Sequence, residues 1–337
     1  MKNIYLFASI VLSICMASCG VSGKKTDTIQ PKDGVFAHPS VASISLEIEA
    51  DPKNAALFFK RAKALRDLNE DSIALKDFEH AVALDSTKAK YFSAIGELLF
   101  EHKDVDGSVK WFKKAIQIDP KDPVAHLKYA KMLVFIGENQ KAFTEINTVL
   151  RQDPYNSEAY FLKGVVYKTM KDTAKAISSF QTSVQVDPQY QPSILQLALI
   201  YAARQDSLSL RYFDNAYAAD TTQLVALYGK AMFCQDNGQF DKAKAIYKKC
   251  IIREPQYADA YFNTGWILMH EDSLEKAARQ FDFVVKIEPD NAEAYYNRGL
   301  CYEMMKKPEQ AIGDYRQALE FAPGYKEPKD GINRLSK

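Results

Sequence analysis

The sequence has few of the features that mark enzymes, metal sites or nucleic-acid-binding proteins. Its five cysteines include no CxxC pair, and its five histidines are scattered. Lys and Arg total 44 against 43 for Asp and Glu, and no basic stripe for a nucleic-acid groove is visible. The sequence also lacks a Gly-rich phosphate loop and a nucleophile–base arrangement. We therefore expect no enzymatic activity, cofactor, metal, nucleic acid or small-molecule substrate; a site built from scattered helix residues is the remote alternative.

The chain also has few long hydrophobic stretches. Ile4–Met16 is apolar apart from two serines, follows the positive Lys2 and precedes the small residues Ala17 and Ser18. A run this short cannot cross the roughly 30 Å hydrocarbon core of a bilayer as a helix. Charge, apolar run and small residues in this order are typical of a secretory signal, which we predict over residues 1–18.

The residues Met16-Ala17-Ser18-Cys19-Gly20 resemble the lipobox of bacterial lipoproteins, although Met16 stands where leucine is usual. The resemblance implies lipid attachment at Cys19 and a membrane anchor in the cell envelope. Gly20 is not the aspartate that retains some lipoproteins in the inner membrane, so the periplasmic leaflet of the outer membrane is the predicted location. The alternative is an ordinary secretory signal in which Cys19 has no role. Residues 19–38 are predicted to form a lipidated, flexible tether.

Acidic residues followed by proline recur at a fixed interval along the rest of the chain. They are Asp51-Pro52, Asp119-Pro120, Asp153-Pro154, Asp187-Pro188, Glu254-Pro255 and Glu288-Pro289. The interval is 34 residues, and Asp85, Asp220 and Ala322 occupy the remaining places; only Asp187 to Asp220 is one residue shorter. A period of this size indicates one supersecondary unit that is repeated.

Two helical faces appear in every repeat when the acidic residue is numbered as position 31. Positions 4, 8 and 11 are large, small and large, and positions 20, 24 and 27 are mostly small, large and small. The spacings predict two amphipathic helices per repeat, and the small position 8 predicts a close helix crossing. Turn-forming residues such as Gly137 and Gly238 separate the two helices.

This pattern resembles the tetratricopeptide repeat family. The resemblance implies an all-α protein, a right-handed superhelix of about eight helix-turn-helix repeats. The predicted repeats are residues 55–88, 89–122, 123–156, 157–190, 191–223, 224–257, 258–291 and 292–325. Terminal repeats must cover an exposed apolar face, so residues 39–54 and 326–337 are predicted to be the N-terminal and C-terminal caps.

The family resemblance implies that positions 5, 9 and 12 of each first helix face a groove that contacts ligands. Position 9 is charged in the first three repeats, as Lys63, Glu97 and Lys131, and apolar afterwards. The predicted partner-binding groove, which we call the apolar row, consists of Phe161, Val165, Leu199, Tyr228, Met232, Phe262, Trp266, Tyr296 and Leu300. Two interpretations remain: the row packs against neighbouring first helices, or it is exposed for a partner's hydrophobic segment.

The residues favour a protein or peptide partner. Trp266 and its aromatic neighbours have the composition of binding hot spots. Asn263 and Asn297 stand where relatives clamp a terminal carboxylate, but no lysine accompanies them. We expect a non-catalytic interaction scaffold that is anchored to the membrane by its N-terminal lipid. The alternative is a fixed structural subunit of an outer-membrane or pilus assembly complex.

Overall fold

A computed structural model describes residues 34–336, and every regular element in this range is helical, with eighteen α-helices and one short 3-10 helix. The all-α prediction is confirmed. The predicted signal peptide, Cys19 and most of the predicted tether lie outside the described residues. The chain divides into two compact units, one ending at Asp85 and one beginning at Ser86.

The first unit contains the N-terminal cap and the first helix pair. Its elements are the 3-10 helix Gly34–Ala37, α1 (Pro39–Ala50), α2 (Ala55–Asp67) and α3 (Asp71–Leu84). Phe36 is buried, and the guanidinium of Arg61 lies 5.3 Å from its ring centre. Ordered packing therefore starts inside the segment predicted as a tether, because Phe36 supplies apolar surface that the first helix pair buries.

The second unit contains seven helix pairs and a terminal helix. They are α4 (Ala89–Glu101), α5 (Val105–Ile118), α6 (Pro123–Phe135), α7 (Asn139–Gln152), α8 (Ser157–Thr169), α9 (Thr173–Val186), α10 (Gln191–Ala203), α11 (Leu208–Ala219), α12 (Val225–Asp236), α13 (Phe240–Arg253), α14 (Ala258–His270), α15 (Leu274–Ile287), α16 (Ala292–Met304), α17 (Pro308–Phe321) and α18 (Lys326–Leu335). The missing residue of the 33-residue repeat shortens α11 at its N-terminal end, which leaves the buried Phe213 and Ala216 in register.

The turn inside each helix pair has one conformation in all eight repeats. Position 15 has a positive φ, between 56° and 81°, although only two of the eight residues there are glycine. The following N–H donates to the carbonyl of position 11, as from Asp172 to Tyr167 at 2.9 Å. This 6→1 bond satisfies a carbonyl that the helix end would leave unpaired. The residues concerned are Asn69, Lys103, Gly137, Lys171, Gln205, Gly238, Asp272 and Lys306.

The residue at position 31 ends the second helix of each repeat in an extended conformation, and it is acidic in every repeat except the eighth, which has Ala322. Asp153 has φ −132° and ψ 93°, which is the region that a following proline imposes. The next first helix then begins within a few residues, and several carry an asparagine or aspartate cap. The Asn156 side-chain oxygen, for example, accepts a hydrogen bond from the Ala159 N–H at 2.9 Å. The punctuation seen in the sequence is thus a local stop-and-start signal.

Small residues at position 8 allow the two helices of a pair to approach closely. A Cβ atom added at Gly164 would lie 2.6 Å from the Phe180 ring, and one added at Gly299 would lie 2.8 Å from the Tyr315 ring. Both rings are fully buried. The core of each repeat therefore contains a large side chain at position 24 that packs on the first helix; it is an aromatic ring in every repeat except the third, which has Ile146.

None of the helices between residues 34 and 336 combines the length and the apolar character that a membrane-crossing helix needs.

Candidate partner-binding surface

The nine residues of the apolar row lie on the first helices of repeats four to eight. Helix α8 carries Phe161 and Val165, and α10 carries Leu199. Helices α12, α14 and α16 carry the pairs Tyr228 and Met232, Phe262 and Trp266, and Tyr296 and Leu300. Because four residues make about one helical turn, positions 5 and 9 share one face of each helix.

The rings at position 5 contact other rings of their own repeat. In repeat six, the Tyr228 ring centre lies 5.8 Å from that of Tyr247 and 5.5 Å from that of Tyr257. Repeats four and eight have the same three-ring arrangement, because they also carry a tyrosine at position 34. The corresponding rings are Phe161, Phe180 and Tyr190 in repeat four, and Tyr296, Tyr315 and Tyr325 in repeat eight.

The residues of the apolar row contact more than one repeat. Tyr228, Met232 and Trp266 pack against one buried cluster that contains Tyr247 of repeat six and Ile267 of repeat seven, and so joins these two repeats. Phe161 and Val165 pack against a separate cluster in repeats four and five. Phe262 lies against the core of repeats seven and eight.

The row is partly buried and partly open to solvent. Leu199 is 39% exposed, and the other eight members are neither fully buried nor fully exposed. The packing interpretation therefore explains one side of the row, where the side chains contact the repeat cores. The other side leaves apolar surface at the same position of five consecutive repeats.

A hydrogen-bond network supports the row between repeats six and seven. The Tyr247 hydroxyl donates to Gln235 Oε1 at 2.8 Å, and Asn263 Nδ2 donates to the Tyr228 hydroxyl at 2.9 Å. Gln235 Nε2 donates to Asn263 Oδ1 at 3.4 Å. Burial raises the pKa of Tyr228 and of Tyr247, so both hydroxyls keep their protons at neutral pH. The network fixes the Tyr228 ring and uses the amide of Asn263.

Repeats two and three have a different surface at the same positions. Glu97 forms an ion pair with Lys128, with Oε2 and Nζ 2.5 Å apart, and both side chains are about one-third exposed. Lys131 is exposed, and Ser93 and Leu127, at position 5, are buried. Charged side chains in contact with solvent occupy position 9 in repeats two and three, so the apolar row begins at repeat four.

The cysteines of the second unit are unsuited to nucleophilic chemistry. Burial raises the pKa of the Cys250 thiol to about 11 and that of the Cys301 thiol to about 12, and it also raises the pKa of Cys234. All three thiols are free and buried. Within residues 34–336, no group of three or more histidine, cysteine or acidic side chains is placed to hold a metal ion.

Sequence reasoning missed the buried ion pairs of the repeats. Arg298 donates two hydrogen bonds to Asp314, at 2.7 and 2.8 Å, and one to Asp282 at 2.8 Å, so it links repeats seven and eight. In the first unit, Arg61 and Asp77 form the same pair with a closest contact of 2.6 Å. The sequence did contain a signal for these pairs: in both repeats an arginine at position 7 and an aspartate at position 23 are separated by sixteen residues.

Comparison with known families identifies the repeat. Three family models of the tetratricopeptide repeat match the chain, the first over residues 292–325, the second over 157–190 and the third over 49–123 and 235–282. Together they cover more than half of the chain. The chain is a tetratricopeptide-repeat protein. The helix pairs, the close crossing at position 8 and the stop at position 31 are therefore the family's repeat structure.

Relatives and structural neighbours of this tetratricopeptide-repeat protein share the fold at low identity. The Hsp70-Hsp90 organizing protein 1 of Glycine max is 24% identical over 251 residues, which are 71% of this chain and 42% of that protein. This chain thus spans less than half of that relative's length. The C-terminal part of a repeat-containing protein from Cytophaga hutchinsonii matches with a TM-score of 0.60 at 15% identity, and the match covers 73% of this chain and 99% of that C-terminal part. The type IV pilus biogenesis factor PilW matches with a TM-score of 0.51 at 20% identity, covering 64% of this chain and 98% of that one.

Proposed function

We propose that this protein is a lipid-anchored interaction scaffold of a bacterial cell envelope that binds a protein segment on the apolar row. The observation that carries the proposal is the persistence of partly exposed apolar side chains at one position through repeats four to eight. A surface that serves packing alone has no need of exposed residues such as Leu199, which is 39% exposed. Contiguous apolar surface on a soluble domain is typical of an interaction site.

The composition of the row supports a protein partner. Trp266, Tyr228 and Phe262 are the kinds of side chain that dominate interface energies, because they offer large area at low entropic cost. Their orientation is fixed by contacts with the repeat core, as the Tyr228 ring is by Asn263 and Tyr247. A fixed surface loses less entropy on binding than a mobile one.

The second candidate is a fixed subunit of an envelope assembly. PilW is named as a pilus biogenesis factor and shares the fold. On this alternative, burial of the outer helix faces in a stable complex matters more than the apolar row. Exposed apolar side chains outside the row, such as Ile252 and Phe283 on second helices, would be the contact residues.

The binding proposal is tested by the double variant Met232→Glu with Trp266→Glu in the full-length protein. A photo-crosslinking amino acid at position 199 or 300 reports partner contact in cells, and thermal unfolding of the purified protein reports stability. We expect the crosslinked partner to be lost while the helical fold is retained. Unchanged crosslinking accompanied by a large loss of stability would mean that the row serves packing.

The matched control is Lys131→Glu, which places the same side chain at position 9 of repeat three. We expect crosslinking to be unaffected, since Lys131 is already exposed and charged. If the control loses the partner as fully as the double variant, the contact surface is not the apolar row.

The anchor is tested separately by Cys19→Ser. Two or more acyl chains hold a protein stably on a bilayer, so we expect the variant to move from the membrane fraction to the soluble fraction. The variant Cys234→Ser is the matched control and should remain with the membrane. Membrane retention of the Cys19 variant would contradict lipid anchoring at that residue.

A further inference from the structure

We propose that the partner segment carries a lysine or arginine whose side chain enters an acidic cavity beside the apolar row in repeats six to eight. The inference rests on the proposed function, because it describes the segment that would bind there. It adds a requirement for positive charge to the requirement for apolar side chains.

The cavity has a volume of about 240 Å³ and opens beside the apolar row. Two members of the row, Tyr228 and Phe262, form part of its wall. This volume is smaller than the roughly 300–1,000 Å³ of drug-sized ligand sites, and so it suits a single side chain. The remaining lining residues are Ala258, Asp259, Asn263, Val284, Glu288, Asn291 and Glu293.

The charged side chains that line the cavity are all acidic, and Lys286 of the adjacent α15 is paired with Asp282. Asp259, Glu288 and Glu293 line the cavity, and none of the three forms an ion pair with another residue of the described chain. Helix α14 contains no lysine or arginine. Arg298, the one such residue of α16, is held by Asp282 and Asp314. The three carboxylates therefore lack a cation of their own.

The surroundings of the cavity disfavour negative charge. Asp259 is exposed at the surface, yet partial desolvation of its carboxyl raises its pKa, and the neighbouring charge of Glu288 raises it further. Both effects disfavour the ionised form, and a cation in the cavity would offset them. The cavity therefore suits a positive group better than a negative one.

The amide groups in the wall are already used, so acceptors predominate. Asn263 Nδ2 donates to the Tyr228 hydroxyl and to the Asp259 carbonyl, both at 2.9 Å. Asn291 Nδ2 donates to Glu288 Oε2 at 2.7 Å, which holds that carboxylate in place. Carboxylate oxygens remain for a ligand. An ammonium or guanidinium group matches them, since it donates charge-assisted hydrogen bonds to carboxylates.

The position of the cavity favours a side chain of a bound protein segment. Because Tyr228 and Phe262 line both the cavity and the apolar row, apolar residues of the segment on Met232 and Trp266 would place a neighbouring residue at its mouth. The expected recognition element is therefore one basic residue within a few residues of an aromatic or aliphatic one. Charge complementarity of this kind contributes to specificity as well as to affinity.

The test uses a random dodecapeptide library displayed on phage and selected on the purified protein. We expect the selected peptides to be enriched in lysine or arginine next to apolar residues. The double variant Asp259→Asn with Glu288→Gln should select apolar peptides without that basic excess. For one selected peptide, the double variant should weaken binding about tenfold, and replacing the peptide's lysine by methionine should make the two proteins equal.

A matched control separates the cavity from net charge. The variant Glu309→Gln with Asp330→Asn removes two exposed carboxylates on α17 and α18. It should select the same basic peptides as the unmodified protein. Equal loss of basic enrichment in this control would overturn the cavity proposal, because the effect would then follow overall charge.

The outcomes distinguish this inference from the proposed function. Apolar peptides without a basic excess, lost on changing Met232 and Trp266 to Glu, would support the row and overturn the cavity. Failure to select any peptide would contradict both. A basic excess that survives the change of Asp259 and Glu288 would also overturn the cavity.

Discussion

Repeats two and three and repeats six to eight share a core but present different surfaces. Phe112 in repeat two and Phe281 in repeat seven are buried to the same degree at position 24. At position 9, by contrast, repeats two and three have the charged residues Glu97 and Lys131, whereas repeats six to eight have the apolar residues Met232, Trp266 and Leu300. The residue types at interior positions are alike because every repeat has the same close helix crossing, which restricts side-chain size there. Positions outside the crossing are free to differ, and their differences point to function.

The largest expected effect tests the shared part of the comparison. Phe112→Ala and Phe281→Ala should each lower the free energy of unfolding by about 4 kcal/mol, because each leaves a cavity under the first helix. Urea unfolding measures both. If the loss of unfolding free energy in one repeat were less than half of the loss in the other, the two cores would differ.

The next effect separates buried from exposed ion pairs. Arg298→Met strands Asp314, whose side chain is 9% exposed, and should cost about 3 kcal/mol. Lys128→Met breaks the more exposed pair with Glu97 and should cost less than about 1 kcal/mol. Thermal or urea unfolding of both variants measures the difference. Equal costs would mean that burial does not govern these pairs.

A smaller effect concerns the buried histidine of repeat three. The hydrogen bond that His126 Nδ1 donates to Glu145 Oε2, at 2.6 Å, raises the pKa of His126 above 6.5; the Pro120 carbonyl and nearby negative charge add to the shift, and burial opposes it. Because the folded pKa lies above the unfolded one, the stabilisation is complete below pH 6.5 and is lost as the pH rises through the folded pKa.

The measurement is the stability of the unmodified protein and of Glu145→Gln between pH 5.5 and pH 9. We expect the difference to be on the order of 1 kcal/mol at the low end and to shrink at the high end. Asp214→Asn in repeat five, which releases Lys230, is the control and should show no such change over this range. A difference that grows with pH would contradict the assignment to His126.

The smallest effect compares the turns of repeats three and eight. Gly137 and Lys306 both have a positive φ at position 15, 81° and 58° respectively. Lys306→Gly removes strain and should stabilise the protein by about 0.5 kcal/mol, whereas Gly137→Lys should destabilise it by a similar amount. Thermal unfolding measures both. Changes of the same sign would show that the backbone conformation does not govern the two turns.

Much of the fold could be predicted because its signals are local. An acidic residue followed by proline ends most of the second helices, and the small residue at position 8 accepts the ring at position 24, as Gly164 accepts Phe180. The candidate surface was harder to predict. The helical period places Met232 and Trp266 on one face, but the exposure of each side chain depends on neighbours from other helices.

Sequence alone determined the all-α repeat, the large and small positions of its core and the point at which the charged row becomes apolar. The tertiary structure decided that Arg298 joins Asp282 to Asp314, that Phe36 is buried before the first α-helix and that an acidic cavity opens beside Tyr228 and Phe262. The physical reason is the distance along the chain over which the deciding interactions act. Helix ends and faces follow from residues a few places apart, whereas burial and charge pairing depend on side chains that folding brings together from different helices.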